Sequence, residues 1–131
     1  MFRAIFPCSL NPFLARSYHP KTGYESLVQG AHKSTVWATR HLPQNRDVFV
    51  TCGGDGSVNL WKYGYPSQRS VKDHDGHMKG VMGSVTELQS KTFTTQPVAS
   101  FDWSPDKEGL CVMVSYDQSL RVCVVTKLNK L

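Results

Sequence analysis

No stretch of this chain approaches the roughly 18 consecutive apolar residues that carry a helix across a bilayer, which excludes a helical membrane span. Paired cysteines are missing too. Cys8, Cys52, Cys111 and Cys123 form no C-x-x-C and sit in or beside apolar runs, where a thiol behaves as a small hydrophobe, and this favours a reducing compartment. The 15 Lys and Arg exceed the 10 Asp and Glu, giving +5, yet they are scattered between Arg3 and Lys130 with no basic block. Diffuse charge of this kind reads as a solvated surface and disfavours a dedicated nucleic-acid site. Acidic residues are absent before Glu25, a composition shared with targeting peptides, but Pro7 and Pro12 interrupt any helix there and no long apolar centre exists. An irregular amino end over residues 1–16 is the expectation. Hydrolase and phosphate-binding signatures are equally lacking: there is no Gly-x-Ser-x-Gly, and the glycines before Asp55 are followed by no helix to lend its dipole.

What the chain does contain is an internal repeat. Shifted by 62 residues, "VWATRHLPQNRDVFVTCGGDGSVNLWK" (Val36 to Lys62) lies without a gap over "VASFDWSPDKEGLCVMVSYDQSLRVCV" (Val98 to Val124). Val36 meets Val98, Pro43 meets Pro105, Val50 meets Val112, Asp55 meets Asp117 and Ser57 meets Ser119. Apolar character recurs in step as well, Val48 with Leu110, Val58 with Leu120 and Leu60 with Val122.

Each block predicts three short strands rich in Val, Phe, Thr and Trp. They are Thr35 to Leu42, Asp47 to Cys52 and Ser57 to Lys62, then Val98 to Trp103, Leu110 to Ser115 and Ser119 to Val125. Helical periodicity is absent, and both faces of these strands are apolar, which suits sheets covered on both sides. Asp55-Gly56 supplies a reversal between antiparallel strands, because Gly accepts positive φ and Asp bonds the backbone of its own turn. Trp61 then lies on the returning strand with an indole N–H that needs an acceptor if buried, and Thr51, His32 and Asp55 are the side chains available to a relay.

These residues resemble a WD repeat. The pattern of a Gly-His-like pair, three strands, Asp-Gly and Trp-Asp stands in this chain as "GAHKSTVW" and "TCGGDGSVNLW", with Lys62 in the final Asp position. The resemblance implies a structural tetrad of His32, Thr51, Asp55 and Trp61, with Gly54, Gly56 and Asp117 as turn residues. The second block keeps Asp117 but puts Cys123 for the tryptophan and Met113 for the hydroxyl, and no histidine precedes Val98, so its blade is expected to rely on packing alone.

The stretches "AHKSTVW", "RHLPQNRDVFVT", "DGSVNLWKYGYPSQRS", "QPVASFDWSPDKEGLCV" and "VVTKLNKL" further resemble the carboxyl-terminal blades of the WD-repeat proteins among the dynein axonemal assembly factors. The implied architecture is all-β: about two antiparallel blades of a seven-bladed propeller. Residues 17–30 would supply an outer strand of a preceding blade, 31–93 a blade with a long irregular insertion at 63–82, and 94–131 a degenerate three-stranded blade. The implied function is a non-enzymatic, cytoplasmic adaptor without cofactor or metal. Its implied partners are proteins, namely prefoldin-like co-chaperone subunits and dynein assembly clients, with no membrane and with self-association through open strand edges. The insertion, carrying Tyr65, Arg69, Lys72, His74, His77 and Lys79, is the first candidate for a partner surface, since loops on rigid scaffolds carry contacts. "DHDGHM" (Asp73 to Met78) matches no established metal loop and reads as solvated. Two other readings stay open at this point: a truncated product without independent activity, and a basic nucleic-acid-binding module.

Overall fold

The computed structural model describes residues 14–19, 23–29, 31–72, 74–81 and 83–130, and nearly all regular structure among them is β. Strands β1 (Leu14–His19) and β2 (Gly23–Gln29) form an antiparallel hairpin. The sequence suggested one outer strand in this region; the structure gives that strand a partner. Most of the amino end expected to be irregular, residues 1–13, lies outside the described residues.

The first large sheet runs β3 (Val36–His41), β4 (Val48–Gly53), β5 (Ser57–Gly64) and β8 (Ser84–Thr92), all antiparallel. The second contains β9 (Val98–Trp103), β10 (Leu110–Ser115) and β11 (Leu120–Val124). These are the four-stranded and three-stranded sheets of the two expected blades, and a 3₁₀ turn at Leu128–Lys130 follows the second.

The insertion departs from the irregular loop expected of it. Ser70–Lys72 (β6) and Met78–Gly80 (β7) pair antiparallel as a small hairpin, with Val71 opposite Lys79, and Gly76 at φ 77° sits in the turn between them. A short, mixed-polarity segment gives no clean period of two, so its pairing is hidden from sequence.

Register decides which face of the first sheet does what. Val50 pairs with Leu60 and Cys52 with Val58, and these side chains share one face. Together with Leu42 and Val48 they meet Val98, Phe101, Trp103, Cys111 and Met113 of the second sheet in one buried core, which Leu128 completes. β3 and β4 lie against β9, and the Gln44 amide ties the blades by donating to the Pro105 carbonyl at 2.8 Å. On the opposite face Phe49 pairs with Trp61 and Thr51 with Asn59, which places the polar residues of the repeat away from this core. A slip of one residue would exchange the two sets.

The second sheet does not follow the expectation of two covered faces. Leu120, Val122 and Val124 are exposed, with Val112 and Val114 beside them on the same face.

Candidate functional site

The four residues assigned to the tetrad come from four separate pieces of chain. His32 lies in the segment before β3, Thr51 on β4, Asp55 in the β4–β5 turn and Trp61 on β5. The structure brings all four into one hydrogen-bonded cluster and adds a fifth, Ser57. The Trp61 indole N–H donates to Thr51 Oγ1 at 2.9 Å, and Thr51 Oγ1 lies 2.7 Å from His32 Nε2. On the other side of the ring, Nδ1 is 2.7 Å from Ser57 Oγ but 3.4 Å from Asp55 Oδ1. Ser57 in turn donates to Asp55 Oδ1 at 2.6 Å. Serine thus stands between histidine and aspartate.

Donor counting fixes the direction of this chain. Indole can only donate and carboxylate can only accept. Since Ser57 spends its hydrogen on Asp55, it must accept from Nδ1–H; neutral His32 then offers Nε2 as acceptor to the Thr51 hydroxyl, which itself accepts from Trp61. Every group is satisfied once, provided the imidazole stays neutral. A second ring proton would leave the buried Thr51 hydroxyl hydrogen without an acceptor.

Electrostatics agree with that count. Burial pushes His32 below the usual imidazole range, with Asp55 pulling it part of the way back. Burial would raise Asp55, but the Ser57 hydroxyl and the backbone N–H groups of Lys33 and Ser57 outweigh it and hold the carboxyl at about 2. The Lys33 N–H donates to Oδ2 at 2.8 Å and the Ser57 N–H to Oδ1 at 3.1 Å, so the aspartate also staples the loop before β3 to the turn.

The signs give a pH prediction. Both folded pKa values lie below their unfolded ones, so the unfolded chain takes up protons first and acid destabilises. The His32 contribution is present above about 6.5 and fades as pH falls below it; that of Asp55 persists until pH falls below about 3.9 and is lost through about 2. Urea midpoints between pH 7.5 and 5 should therefore fall for the wild type and flatten in His32→Gln. Parallel slopes would mean that the imidazole carries no such linkage.

Two glycines make the geometry possible. Gly56 adopts φ 76°, and Gly53 leaves room for the relay, since a Cβ there would lie 2.4 Å from His32 Nδ1 and 2.2 Å from Asp55 Oδ1. Gly54, the other turn glycine, has its N–H on the Thr35 carbonyl at 2.7 Å. Asn59 anchors the histidine loop by donating from Nδ2 to the Ala31 carbonyl at 2.6 Å while its Oδ1 accepts from Ser90.

Residue for residue, the second blade builds something else. Ser115 stands where Gly53 does, and Arg121 where Asn59 does. Asp117 accepts from Ser115 and Ser119 at 2.5 Å each and from Arg121 Nη2 at 2.9 Å, while Arg121 Nη1 also bonds both serine hydroxyls. Arg121, followed by the serines, drives the Asp117 carboxyl far below the carboxylate range. The expectation that this blade relies on packing alone is therefore corrected: an arginine clamp occupies the place of the histidine relay. Sequence reasoning missed Gly53, Ser57, Asn59 and Arg121, although the recurrence of Ser57 as Ser119 carried the signal.

The clamp leaves no role for a tryptophan. Cys123 is half-buried, its carbonyl lies 3.5 Å from Cys111 Sγ, and buried Met113 replaces the acceptor Thr51. Cys123→Trp should lower stability by roughly 1–3 kcal/mol through overpacking, readable as a reduced melting temperature.

The remaining candidates lie apart from the relay. Tyr65 is half exposed and donates from Oη to Asp47 Oδ1 at 2.9 Å; Arg69, Lys72, His74 and His77 are exposed on and beside the β6–β7 hairpin, which also contains Lys79. Among the described residues no group of three or more His, Cys, Asp or Glu is arranged to hold a metal ion.

Residues 24–62 match the family described as WD domain, G-beta repeat. The chain is similar to proteins named "Dynein axonemal assembly factor 10". It is 60% identical over 119 residues to that of Xenopus tropicalis and 59% identical over 119 residues to that of Homo sapiens, each alignment covering 91% of this chain and 33% of the relative. The Chlamydomonas reinhardtii protein of that name is 57% identical over 122 residues, 90% of this chain and 33% of its own length. The chain thus spans about a third of the length of these curated relatives.

Proposed function

Taking the chain as a WD-repeat β-propeller fragment, we propose that it is a scaffold segment of a cytoplasmic factor for the assembly of axonemal dynein arms, and that it works by displaying loops and strand ends to protein partners. The observation that carries this reading is the fate of the hydrolase-like trio His32, Ser57 and Asp55. A serine nucleophile must give its proton to histidine, whereas His32 donates to Ser57 and Ser57 to Asp55, and both His32 and Ser57 are buried. The trio holds loops in place and is spent on structure, which supports a non-enzymatic role.

The names and identities of the relatives support the dynein arm setting. Prefoldin-like co-chaperone subunits and dynein clients are the partners proposed, reached through the insertion that contains Tyr65, Arg69, Lys72, His74, His77 and Lys79. The test is genetic. Cells that build motile cilia, once deprived of the gene, should show axonemes with missing dynein arms by electron microscopy, restored by the wild-type gene. Normal arms in the deprived cells would end the proposal.

A further inference from the structure

The excess positive charge is not shared evenly between the blades. Residues 31–82 carry seven Lys and Arg against four Asp, whereas residues 83–131 carry five bases and five acids. Within the first group Asp55 is engaged in the relay and Asp47 with the Tyr65 hydroxyl, while Asp75 is exposed in the turn of the β6–β7 hairpin. The ion pairs found among the described residues are His32–Asp55 and Arg121–Asp117, so Arg46, Arg69 and Lys72 stand exposed without a carboxylate partner there.

These cations are connected through the fold. The Arg46 carbonyl lies 3.0 Å from His41 Nδ1, and the neighbouring Asp47 holds Tyr65. The Arg69 guanidinium sits 4.9 Å above the Tyr65 ring, and the Arg69 carbonyl accepts from Val81 at the base of the β6–β7 hairpin. Apolar groups are interleaved with the charges, since Tyr65, Val71 and Met78 are each about half exposed.

We infer that this end of the first blade, from Arg46 through Tyr65 and Arg69 to the β6–β7 hairpin, is a docking surface for an acidic protein segment that carries apolar side chains. The charge complement sets the sign of the partner, and the exposed Val71 and Met78 give its apolar side chains a seat. Nucleic acid fits less well. Tyr63 and Tyr65 meet edge to face at 83°, and Arg69 already covers a Tyr65 face, which leaves no stacked aromatic platform for bases. The inference deepens the adaptor reading and rests on it.

The test uses the whole chain and a fluorescein-labelled 14-residue peptide in which Glu alternates with Leu and Phe, followed by fluorescence anisotropy. Controls are the peptide with Lys for Glu, an all-Glu peptide and a 20-nucleotide oligodeoxythymidine. The acidic-apolar peptide should bind tightest, and more weakly as salt rises. Arg69→Glu/Lys72→Glu should weaken it about tenfold or more, while Lys107→Glu/Lys130→Glu, with the same change in net charge, should not. Circular dichroism melts of both variants monitor the fold; should the first double variant melt early, Arg46→Glu replaces it. Equal loss in both charge reversals, or tighter binding of oligodeoxythymidine that Arg69→Glu/Lys72→Glu abolishes, overturns the inference. Restored dynein arms with the Arg69→Glu/Lys72→Glu gene would also count against this surface while leaving the adaptor reading intact.

Discussion

Trp61→Ala is expected to destabilise the chain by about 3–5 kcal/mol. The ring is only 4% exposed, lies near-parallel to Phe49 with centroids 6.5 Å apart, and donates to Thr51. Two costs combine: a cavity the size of an indole, and the loss of the donor that begins the relay. Trp61→Phe separates them. It keeps most of the bulk and removes the N–H, so it should cost about 1 kcal/mol from the hydrogen bond, plus whatever the smaller ring leaves unfilled. Thr51 can still donate to His32 in both variants, and the pH dependence of stability should survive in each. Chemical denaturation at pH 7 measures the pair, and an unchanged unfolding midpoint for Trp61→Ala would show that the indole fastens nothing.

The second large effect concerns a turn. Gly56→Ala and Gly76→Ala place a methyl group at nearly the same backbone angle, φ 76° and 77°. Their surroundings differ completely. A Cβ on Gly56 would lie 1.8 Å from the Thr94 carbonyl oxygen, whereas nothing stands within 4 Å of one on Gly76. The Gly76 variant should pay only the left-handed penalty of roughly 1–2 kcal/mol, confined to the hairpin. At Gly56 the same penalty is joined by a backbone collision, and the Phe93 N–H to Gly56 carbonyl bond of 3.0 Å must break or shift. The β4–β5 turn carries Asp55, so the relay moves with it, and the loss should exceed that of Gly76→Ala by several kcal/mol. Equal melting temperatures for the two variants would mean that the turn yields freely.

Comparing the two repeats explains how much of the site could be read in advance. His32, Thr51, Asp55 and Trp61 are distinctive residue types at set distances from predicted strands, so a pattern suffices to propose that they meet. Ser57 is an ordinary strand residue. Its place between imidazole and carboxylate depends on a difference of 2.7 against 3.4 Å, which no spacing encodes. Arg121 reads as a solvent-facing cation of an edge strand until its guanidinium is seen reaching across to Asp117 and two serines.

By itself the sequence determined local matters: where the strands of the two repeated blocks lie, which turn needs a glycine, and that a unit is repeated after 62 residues. Each of these follows from steric limits and side-chain alternation acting over a few neighbours. Tertiary structure alone decided that a serine completes the relay, that a clamp replaces it in the second blade, that the insertion pairs as a hairpin and that Arg69 comes to lie over the Tyr65 ring held by Asp47. The relay joins residues up to 25 apart, and the clamp and hairpin, though local in sequence, need strand and side-chain directions that exist only once register and packing have been set.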